Sequence, residues 1–134
     1  MGEHLNTAWV RAGFEAFSRG DFETLASYLA DDVVWHVGGD HPLSGDYRGR
    51  DAVLDYCRKA QELAGDTLRG EPMEILASDR HAGVFNHITA ERDGMTLDVV
   101  LAQALKLDEK GRWTEYWALA DEQGAVDAFW AGAA

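Results

Sequence analysis

Two hydrophobic patterns divide the chain. Up to Gly65 the apolar residues recur every three or four positions, which is typical of amphipathic helices, and after Pro72 they alternate with polar residues, which is typical of strands. The first part predicts, in order, a helix from Leu5 to Gly20, a short helix from Asp21 to the Asp31-Asp32 pair, a strand over 33–37, a loop over 38–49 and a helix from Asp51 to Gly65.

The second part predicts a meander of strands joined by short turns. The strands are expected over 73–78, 84–92, 95–107 and 112–120, followed by a short helix from Asp121 through Trp130. This order of elements predicts an α+β domain whose helices cover one face of a curved antiparallel sheet. With 134 residues, the chain is expected to form one domain over 1–134.

The Asp93-Gly94 pair predicts the register of the two central strands. Asp-Gly between two extended runs favours a two-residue hairpin turn, which pairs Arg92 with Met95. Because side chains alternate between the two faces of a sheet, counting outward from the turn assigns each residue to a face. The helix-facing pairs are then Ile88 with Val99, Asn86 with Leu101 and Val84 with Gln103, and the outer pairs include Phe85 with Ala102 and His87 with Val100.

The turn before the last strand is less diagnostic. A four-residue loop over 108–111 pairs Leu107 with Arg112, and this register places Tyr116 beside Gln103 on the helix-facing side. A change of one residue in the loop length would reverse the assignment. The residues of this strand assigned to the outer face are Trp113, Glu115, Trp117 and Leu119.

The outer face of the predicted sheet carries a contiguous apolar patch with polar ends. We call its centre, made of Phe85, His87, Val100 and Trp117, the outer patch. A patch of this kind is too large to leave in water on a monomer. A homodimer with two-fold symmetry through the outer patch is therefore expected.

Composition and charge exclude several classes of function. The formal net charge of −12 disfavours nucleic acid as a partner, because the phosphate backbone is also negative. A single cysteine, Cys57, excludes an internal disulfide and a cysteine-based zinc site, and no other metal-binding motif is present. No run of apolar residues is long enough to span a membrane and no secretory leader is recognisable, so a cytoplasmic protein is expected.

Three segments together resemble a known superfamily. They are Gly20-Asp21-Phe22 with Tyr28-Leu29-Ala30-Asp31-Asp32-Val33-Val34-Trp35-His36, then Tyr47-Arg48-Gly49-Arg50-Asp51-Ala52-Val53, and late in the chain Gly111-Arg112-Trp113-Thr114-Glu115. They resemble the nuclear transport factor 2-like (NTF2-like) superfamily, and within it the chain is most similar to the SnoaL-like branch, alongside ketosteroid isomerases and limonene-epoxide hydrolases. The resemblance implies a cone-shaped α+β fold with an internal pocket, commonly dimeric through the sheet.

The catalytic groups of these relatives are mostly replaced in this chain. By resemblance, the general-base aspartate, the oxyanion-binding tyrosine and the oxyanion-binding aspartic acid of ketosteroid isomerases fall at Val37, Gly13 and Gln103. The carboxylates of the epoxide hydrolases fall near Asn86 and Ala118, and their water-orienting tyrosine and asparagine at Trp35 and Val37. Neither mechanism is transferable, but the matches place Trp35, Val37, Asn86 and Gln103 in the pocket.

The candidate catalytic residues are Gln103, Tyr116, Asn86, Asp40 and His41. The two amides lie on an otherwise apolar face, where they either bind a ligand or satisfy each other. Tyr116 either donates to a developing oxyanion or is a core aromatic residue bonded to Gln103. Asp40 and His41 lie in a glycine-rich loop, where they either move a proton at the pocket mouth or form solvated surface.

These residues favour a site for a small, largely apolar molecule of polyketide or steroid type. The expected ligand-binding wall consists of Trp35, Val37, Phe14, Phe17 and Leu101. An enzyme of this design would catalyse an isomerisation, a cyclisation or a hydration without cofactor or metal. The alternatives are a non-catalytic ligand-binding or sensor protein, and a dimeric scaffold acting through the outer patch.

Overall fold

Four helices and six strands follow one another in residues 4–133, which are the residues described by the structure, a computed structural model. The elements are α1 (Leu5–Ser18), α2 (Phe22–Ser27), β1 (Leu29–Val37), β2 (Gly45–Arg48), α3 (Arg50–Leu63), β3 (Arg69–Ala77), β4 (His81–Arg92), β5 (Met95–Leu107), β6 (Trp113–Ala120) and α4 (Gln123–Trp130). The strands form one curved sheet in the order β2-β1-β6-β5-β4-β3. The α+β class predicted from the sequence is confirmed.

The register predicted for the central hairpin is confirmed along its whole length. Arg92 pairs with Met95, Asn86 with Leu101 and Val84 with Gln103. Both turn residues, Asp93 and Gly94, have positive φ, which is the backbone that a two-residue turn of this kind requires. The pairing follows from local chemistry alone, since only short-range geometry sets it.

The register predicted for the last strand is wrong in one respect. Leu107 pairs with Trp113 instead of Arg112, and an irregularity between Lys106 and Leu107 shifts the pairing that follows, so that Tyr116 lies opposite Leu105. Trp113 consequently turns into the core, where it is fully buried, although the sequence assigned it to the outer face. Tyr116 still faces the helices, because the shift moves its partner by two residues and preserves its face.

The N-terminal half differs from its prediction in two places. Helix α2 ends at Ser27 and β1 already begins at Leu29, so the Asp31-Asp32 pair lies in a strand and not at a helix end. The predicted loop over 38–49 contains a further strand, β2, which pairs with β1 in antiparallel fashion. Both strands are stabilised by partners outside the local sequence, which a search for helical periodicity does not detect.

Strands β3 and β4 begin earlier than predicted. Strand β3 begins at Arg69 and continues through Pro72, where its pairing with β4 is irregular, and β4 begins at His81. A proline is tolerated here because β3 is an edge strand and because its pairing with β4 is irregular directly after Pro72. The sequence predicts the start after Pro72, because the alternation of apolar and polar residues becomes visible only there.

The helices cover one face of the sheet, and the core lies between them. Val10 and Phe14 of α1, Val53 of α3 and Leu105 of β5 belong to one buried cluster that is centred on Trp113. The indole ring of Trp113 packs against Gly13, the position at which α1 has no side chain. A Cβ added at Gly13 would lie 2.6 Å from Cζ2 of Trp113. None of the helices formed within residues 4–133 has the length and apolar character needed to cross a bilayer.

A histidine joins three strands at the edge of the sheet. His36 of β1 contacts Asp46 of β2 through Nδ1 at 2.8 Å and Glu115 of β6 through Nε2 at 2.6 Å, and its ring stacks on Trp117. Hydrogen bonds to Glu115 and to Asp46 raise the pKa of His36 above its ordinary value of 6.5. Lys106 lies 3.7 Å from the second oxygen of Glu115 and completes the charged groups around the ring.

The contact between Gly13 and Trp113 predicts the effect of adding one methyl group. Gly13→Ala would normally favour a helix by about 1 kcal/mol, but here the methyl group meets the indole ring, so we expect a loss of about 1–3 kcal/mol in the free energy of unfolding. Gly124→Ala in α4 is the matched control, because no atom lies within 4 Å of its added Cβ. Urea denaturation measures both. Equal stabilisation by the two substitutions would contradict the packing described.

The His36 contacts predict a specific dependence of stability on pH. Because the pKa of folded His36 is raised, its contribution is fully present below pH 6.5 and is lost as the pH rises through the raised pKa. The difference in unfolding free energy between the wild type and His36→Gln should therefore be largest below pH 6.5 and should shrink as the pH rises through the raised pKa of His36. Chemical denaturation at several pH values tests this, with the exposed His81→Gln as control. A difference that stays constant with pH would refute it.

Candidate functional site

A cavity of about 120 Å³ lies between the helices and the curved sheet. It is smaller than the roughly 300–1,000 Å³ of sites for drug-sized ligands and close to the size of an apolar cavity of about 150 Å³ that takes up benzene. Of the residues that the structure describes, no Asp, Glu, Lys or Arg lines it. Its walls include Phe14, Phe17, Leu25, Trp35, Val37, His41, Tyr56, Gly70, Asn86, Val99, Leu101, Gln103, Trp113, Tyr116, Val126 and Trp130.

Three polar side chains on the sheet form a hydrogen-bonded relay within this apolar lining. Asn86 Nδ2 donates to Gln103 Oε1 at 3.0 Å, and Gln103 Nε2 donates to Tyr116 Oη at 2.6 Å. They come from β4, β5 and β6, which are adjacent in the sheet. All three residues are buried, with Asn86 only 1% exposed. The relay therefore crosses the middle of the sheet out of contact with bulk water.

Burial keeps the phenol of Tyr116, at one end of this relay, neutral. Desolvation raises the pKa of Tyr116 far above its ordinary value of 10.0, and the hydrogen bond from Gln103 offsets only part of this effect. The phenol therefore retains its hydrogen at any physiological pH. Tyr116 can donate a hydrogen bond to an oxygen of a bound molecule, but it is not suited to act as a base.

Buried polar atoms around the cavity are left without partners. Within the described part of the chain, Asn86 Oδ1 accepts no hydrogen bond, and the indole N–H groups of Trp35 and Trp113 find no acceptor. A buried polar atom left unpaired costs about 1–3 kcal/mol. Native proteins keep few such atoms, and their concentration around one cavity indicates where a ligand or water would be bound.

Aromatic rings form the wall next to the relay. Trp35 stacks on Tyr116, with ring centroids 4.4 Å apart, and is nearly parallel to Trp113 at 6.3 Å. Tyr56 of α3 meets Trp35 edge-on from the helix side. The pairing of Trp35 with Tyr116 in β1 and β6 puts the first two rings in contact.

The mouth of the cavity lies between the 38–44 loop and α4. His41 lines it; its Nδ1 accepts a hydrogen bond from the backbone N–H of Leu43, so the neutral ring carries its hydrogen on Nε2. Burial lowers the pKa of His41, although the carboxylates of Asp127 and Asp40 act in the opposite direction. The loop is held to α4 by a hydrogen bond from the Asp40 backbone N–H to Asp127 Oδ1.

Most residues predicted for the site lie together around the cavity. The structure places the five expected wall residues there, together with Asn86, Gln103, Tyr116 and His41. Asp40 differs: its backbone contacts α4, but it is exposed and does not line the cavity. Proximity does not establish that any of these residues is catalytic, so their roles stay predictions.

Several lining residues were not predicted from the sequence. Val126 and Trp130 of α4 lie over the mouth, and Trp113 and Gly70 lie deeper. The apolar spacing in α4 indicated a buried face but not what it would cover. The inward turn of Trp113 depends on the irregular pairing at the start of β6, for which the sequence carries no distinct signal.

The described residues contain no cluster suited to a metal ion. No group of three or more His, Cys, Asp or Glu side chains within 4–133 is placed to hold one. Cys57 is buried in α3, and desolvation raises the pKa of its thiol, so it remains protonated. The functional groups available at the cavity are thus amides, phenols, indoles, imidazoles and the hydroxyl group of Ser18.

Comparisons with known proteins agree with this architecture. Residues 10–116 match the model of the SnoaL-like domain family. The uncharacterized protein Rv0034 of Mycobacterium tuberculosis is 31% identical over 136 residues, which cover 98% of this chain and all of that protein.

Two solved structures show the same fold. Bal32a, from a soil-derived mobile gene cassette, superposes with a TM-score of 0.89 at 29% identity, covering 93% of this chain and 95% of Bal32a. IdmH from Streptomyces antibioticus, a candidate polyketide cyclase, has a TM-score of 0.74 at 21% identity, covering 92% of this chain and 96% of IdmH. The NTF2-like, SnoaL-like resemblance seen in the sequence is confirmed, and the chain belongs to the SnoaL-like domain family.

Proposed function

We propose that this protein binds a small, largely apolar molecule in the cavity and holds one of its oxygen atoms with Tyr116. The observation that carries the proposal is the Asn86–Gln103–Tyr116 relay in a largely apolar lining, to which no Asp, Glu, Lys or Arg of the described residues contributes. Small-molecule sites typically combine an apolar wall with a few convergent polar groups. A ligand oxygen beside Tyr116 would accept the phenolic hydrogen, for which the described residues supply no acceptor.

The same arrangement supports a cofactor-free reaction of a carbonyl compound. Isomerisation and cyclisation at such a compound both begin when the carbon next to the carbonyl loses a proton and negative charge develops on the oxygen. Tyr116, with Gln103 donating to it and Asn86 donating to Gln103, would stabilise that charge. His41 is the titratable ring at the mouth that could take the proton.

Hydration is less well supported, since no carboxylate lines the described cavity to activate water. The candidate polyketide cyclase IdmH shares the fold and is consistent with this class of chemistry.

A non-catalytic binding or sensor protein is the second candidate. It is favoured by the hydrogen bond between His41 Nδ1 and the backbone N–H of Leu43. His41 would have to release this bond before it could accept a proton at that atom. Asp40, the other group expected to move a proton, does not line the cavity. Under this reading the relay recognises an oxygen atom and no bond of the ligand changes.

Cyclohexanone separates the two candidates, because it is small, neutral and carries one carbonyl group. We expect it to bind to the wild type, as measured by tryptophan fluorescence, and Tyr116→Phe or Gln103→Leu to weaken binding about tenfold through loss of a buried hydrogen bond. If the protein is catalytic, it also accelerates exchange of the adjacent C–H hydrogens in D₂O, observed by NMR. Tyr116→Phe should then slow exchange about 10²–10³-fold.

Tyr28→Phe is the matched control, since Tyr28 packs against Trp9 and does not line the cavity. It should change neither binding nor exchange. Binding without exchange would favour the non-catalytic protein. Absence of cyclohexanone binding, or binding that Tyr116→Phe leaves unchanged, would refute the proposed role of the relay.

We also propose that two copies of the chain associate through the outer patch in a reducing, cytoplasmic environment. The support is that Phe85 is 46% exposed in the middle of β4, and that the neighbouring Leu119 of β6 is 76% exposed. The two residues lie in one row across the sheet, on either side of Ala102 of β5. Large exposed apolar side chains grouped on one face of a sheet are typical of an interface. A purely structural role as a dimeric scaffold would use the same surface.

Charge insertion tests the dimer. Phe85→Glu should convert a dimer to a monomer in sedimentation equilibrium, because a carboxylate would be buried against an apolar partner surface. Leu5→Glu is the control: Leu5 is 88% exposed but lies in α1, away from the outer patch. A wild type that stays monomeric at high concentration would exclude this interface.

A further inference from the structure

The relay has a direction, and its two ends differ in chemistry. Each hydrogen bond is donated towards Tyr116, from Asn86 to Gln103 and from Gln103 to Tyr116. At one end Asn86 Oδ1 remains a buried acceptor without a donor, and at the other end the Tyr116 hydroxyl remains a donor without an acceptor among the described residues. A molecule that completes the relay must therefore carry a donor on one side and an acceptor on the other.

The Asn86 end borders the cavity next to a position of the adjacent strand that has no side chain. Gly70 of β3 lines the cavity, and a Cβ added to it would lie 3.0 Å from Asn86 Nδ2 and 3.1 Å from Asn86 Oδ1. Any larger residue at this position would therefore cover the amide. The backbone of Gly70 is itself held by Ser18, whose Oγ accepts from its N–H and donates to its carbonyl group.

Charge, shape and size restrict the molecule further. An ionised ligand is disfavoured, because no Asp, Glu, Lys or Arg of the described residues lines the cavity, and both ring nitrogens of His36, which does line it, are already paired with Asp46 and Glu115. Burial of an unpaired charge is costly. The aromatic rings that line the cavity, among them Trp35 and Tyr116, favour a ligand that itself contains a ring. A volume of about 120 Å³ suits a single ring with small substituents.

We propose that the cavity selects neutral single-ring molecules with a hydroxyl group on one side and a carbonyl group on the opposite side. The hydroxyl group donates to Asn86 Oδ1, and the carbonyl oxygen accepts from the Tyr116 hydroxyl. This inference rests on the proposed function, since it names the ligand class of the same cavity. It adds the requirement for a donor at the Asn86 end, which binding of a simple ketone does not need.

Four probes test the requirement by isothermal titration calorimetry at about pH 6, where a phenol is neutral and a carboxylic acid is ionised. They are 4-hydroxyacetophenone, acetophenone without the hydroxyl group, 4-ethylphenol without the carbonyl group, and the anionic 4-hydroxybenzoate. We expect 4-hydroxyacetophenone to bind about tenfold more tightly than acetophenone or 4-ethylphenol, because each loses one buried hydrogen bond. Binding of 4-hydroxybenzoate should be weaker than that of all three.

Two variants assign each preference to its end of the relay. Gly70→Ala covers the Asn86 amide and should abolish the preference over acetophenone while preserving the preference over 4-ethylphenol. Tyr116→Phe should do the reverse. Gly83→Ala in β4 is the matched control, because no atom lies within 4 Å of its added Cβ, and it should leave both preferences unchanged.

The outcomes separate this inference from the proposed function. If the three neutral probes bind equally well, the inference is wrong and the binding function survives. If none of the neutral probes binds, the inference is wrong, and the proposed function is wrong as well only if cyclohexanone also fails to bind. Tightest binding of 4-hydroxybenzoate would overturn the requirement for a neutral ligand, and loss of both preferences in Gly83→Ala would overturn their assignment to the relay.

Discussion

The parallel pairing of β1 with β6 holds the two halves of this protein together. Strand β1 follows the first two helices, whereas β6 closes the C-terminal meander, and the pairing joins them at Leu29 with Trp113 and at Trp35 with Tyr116. A backbone hydrogen bond of 2.8 Å from Trp113 N–H to the carbonyl group of Tyr28 begins the contact. Trp35 reaches the cavity from the N-terminal half of the chain and Tyr116 from the C-terminal half. The pairing of β1 with β6 therefore brings the aromatic wall into contact with the polar relay.

The irregularity at the start of β6 decides what fills the core. It turns Trp113 inward against Gly13, at the position where the oxyanion-binding tyrosine of ketosteroid isomerases falls by resemblance. The volume that a tyrosine would occupy is taken by an indole from the opposite side of the core. Under the proposed function, donation to a bound oxygen belongs to Tyr116, which keeps its face despite the shift in register. The cavity thus has a phenol from strand β6, whereas Gly13 belongs to helix α1.

The charge of the chain and the chemistry of the cavity are independent. The formal net charge is −12, yet none of the carboxylates in the described residues lines the cavity. Burial of an unpaired carboxylate is costly, because the carboxylate loses its hydration. At the mouth Asp127 instead binds the backbone of the loop, and Asp46 and Glu115 contact His36 at the sheet edge. The interior depends on amide and phenol dipoles, which can be buried when they bond to one another.

The sequence by itself determined the features that depend on neighbouring residues. The turn at Asp93-Gly94 set the pairing of β4 with β5, and the two-residue period then placed Asn86 and Gln103 on the same face. Tertiary structure decided the features that depend on distant segments: the existence of β2, the inward turn of Trp113, the position of α4 over the mouth, and which ends of the relay stay unpaired. The physical reason is that a turn and its strand period are set by local backbone geometry, whereas the pairing of distant strands, bulges and helix docking is selected by burial and hydrogen bonding over the whole chain.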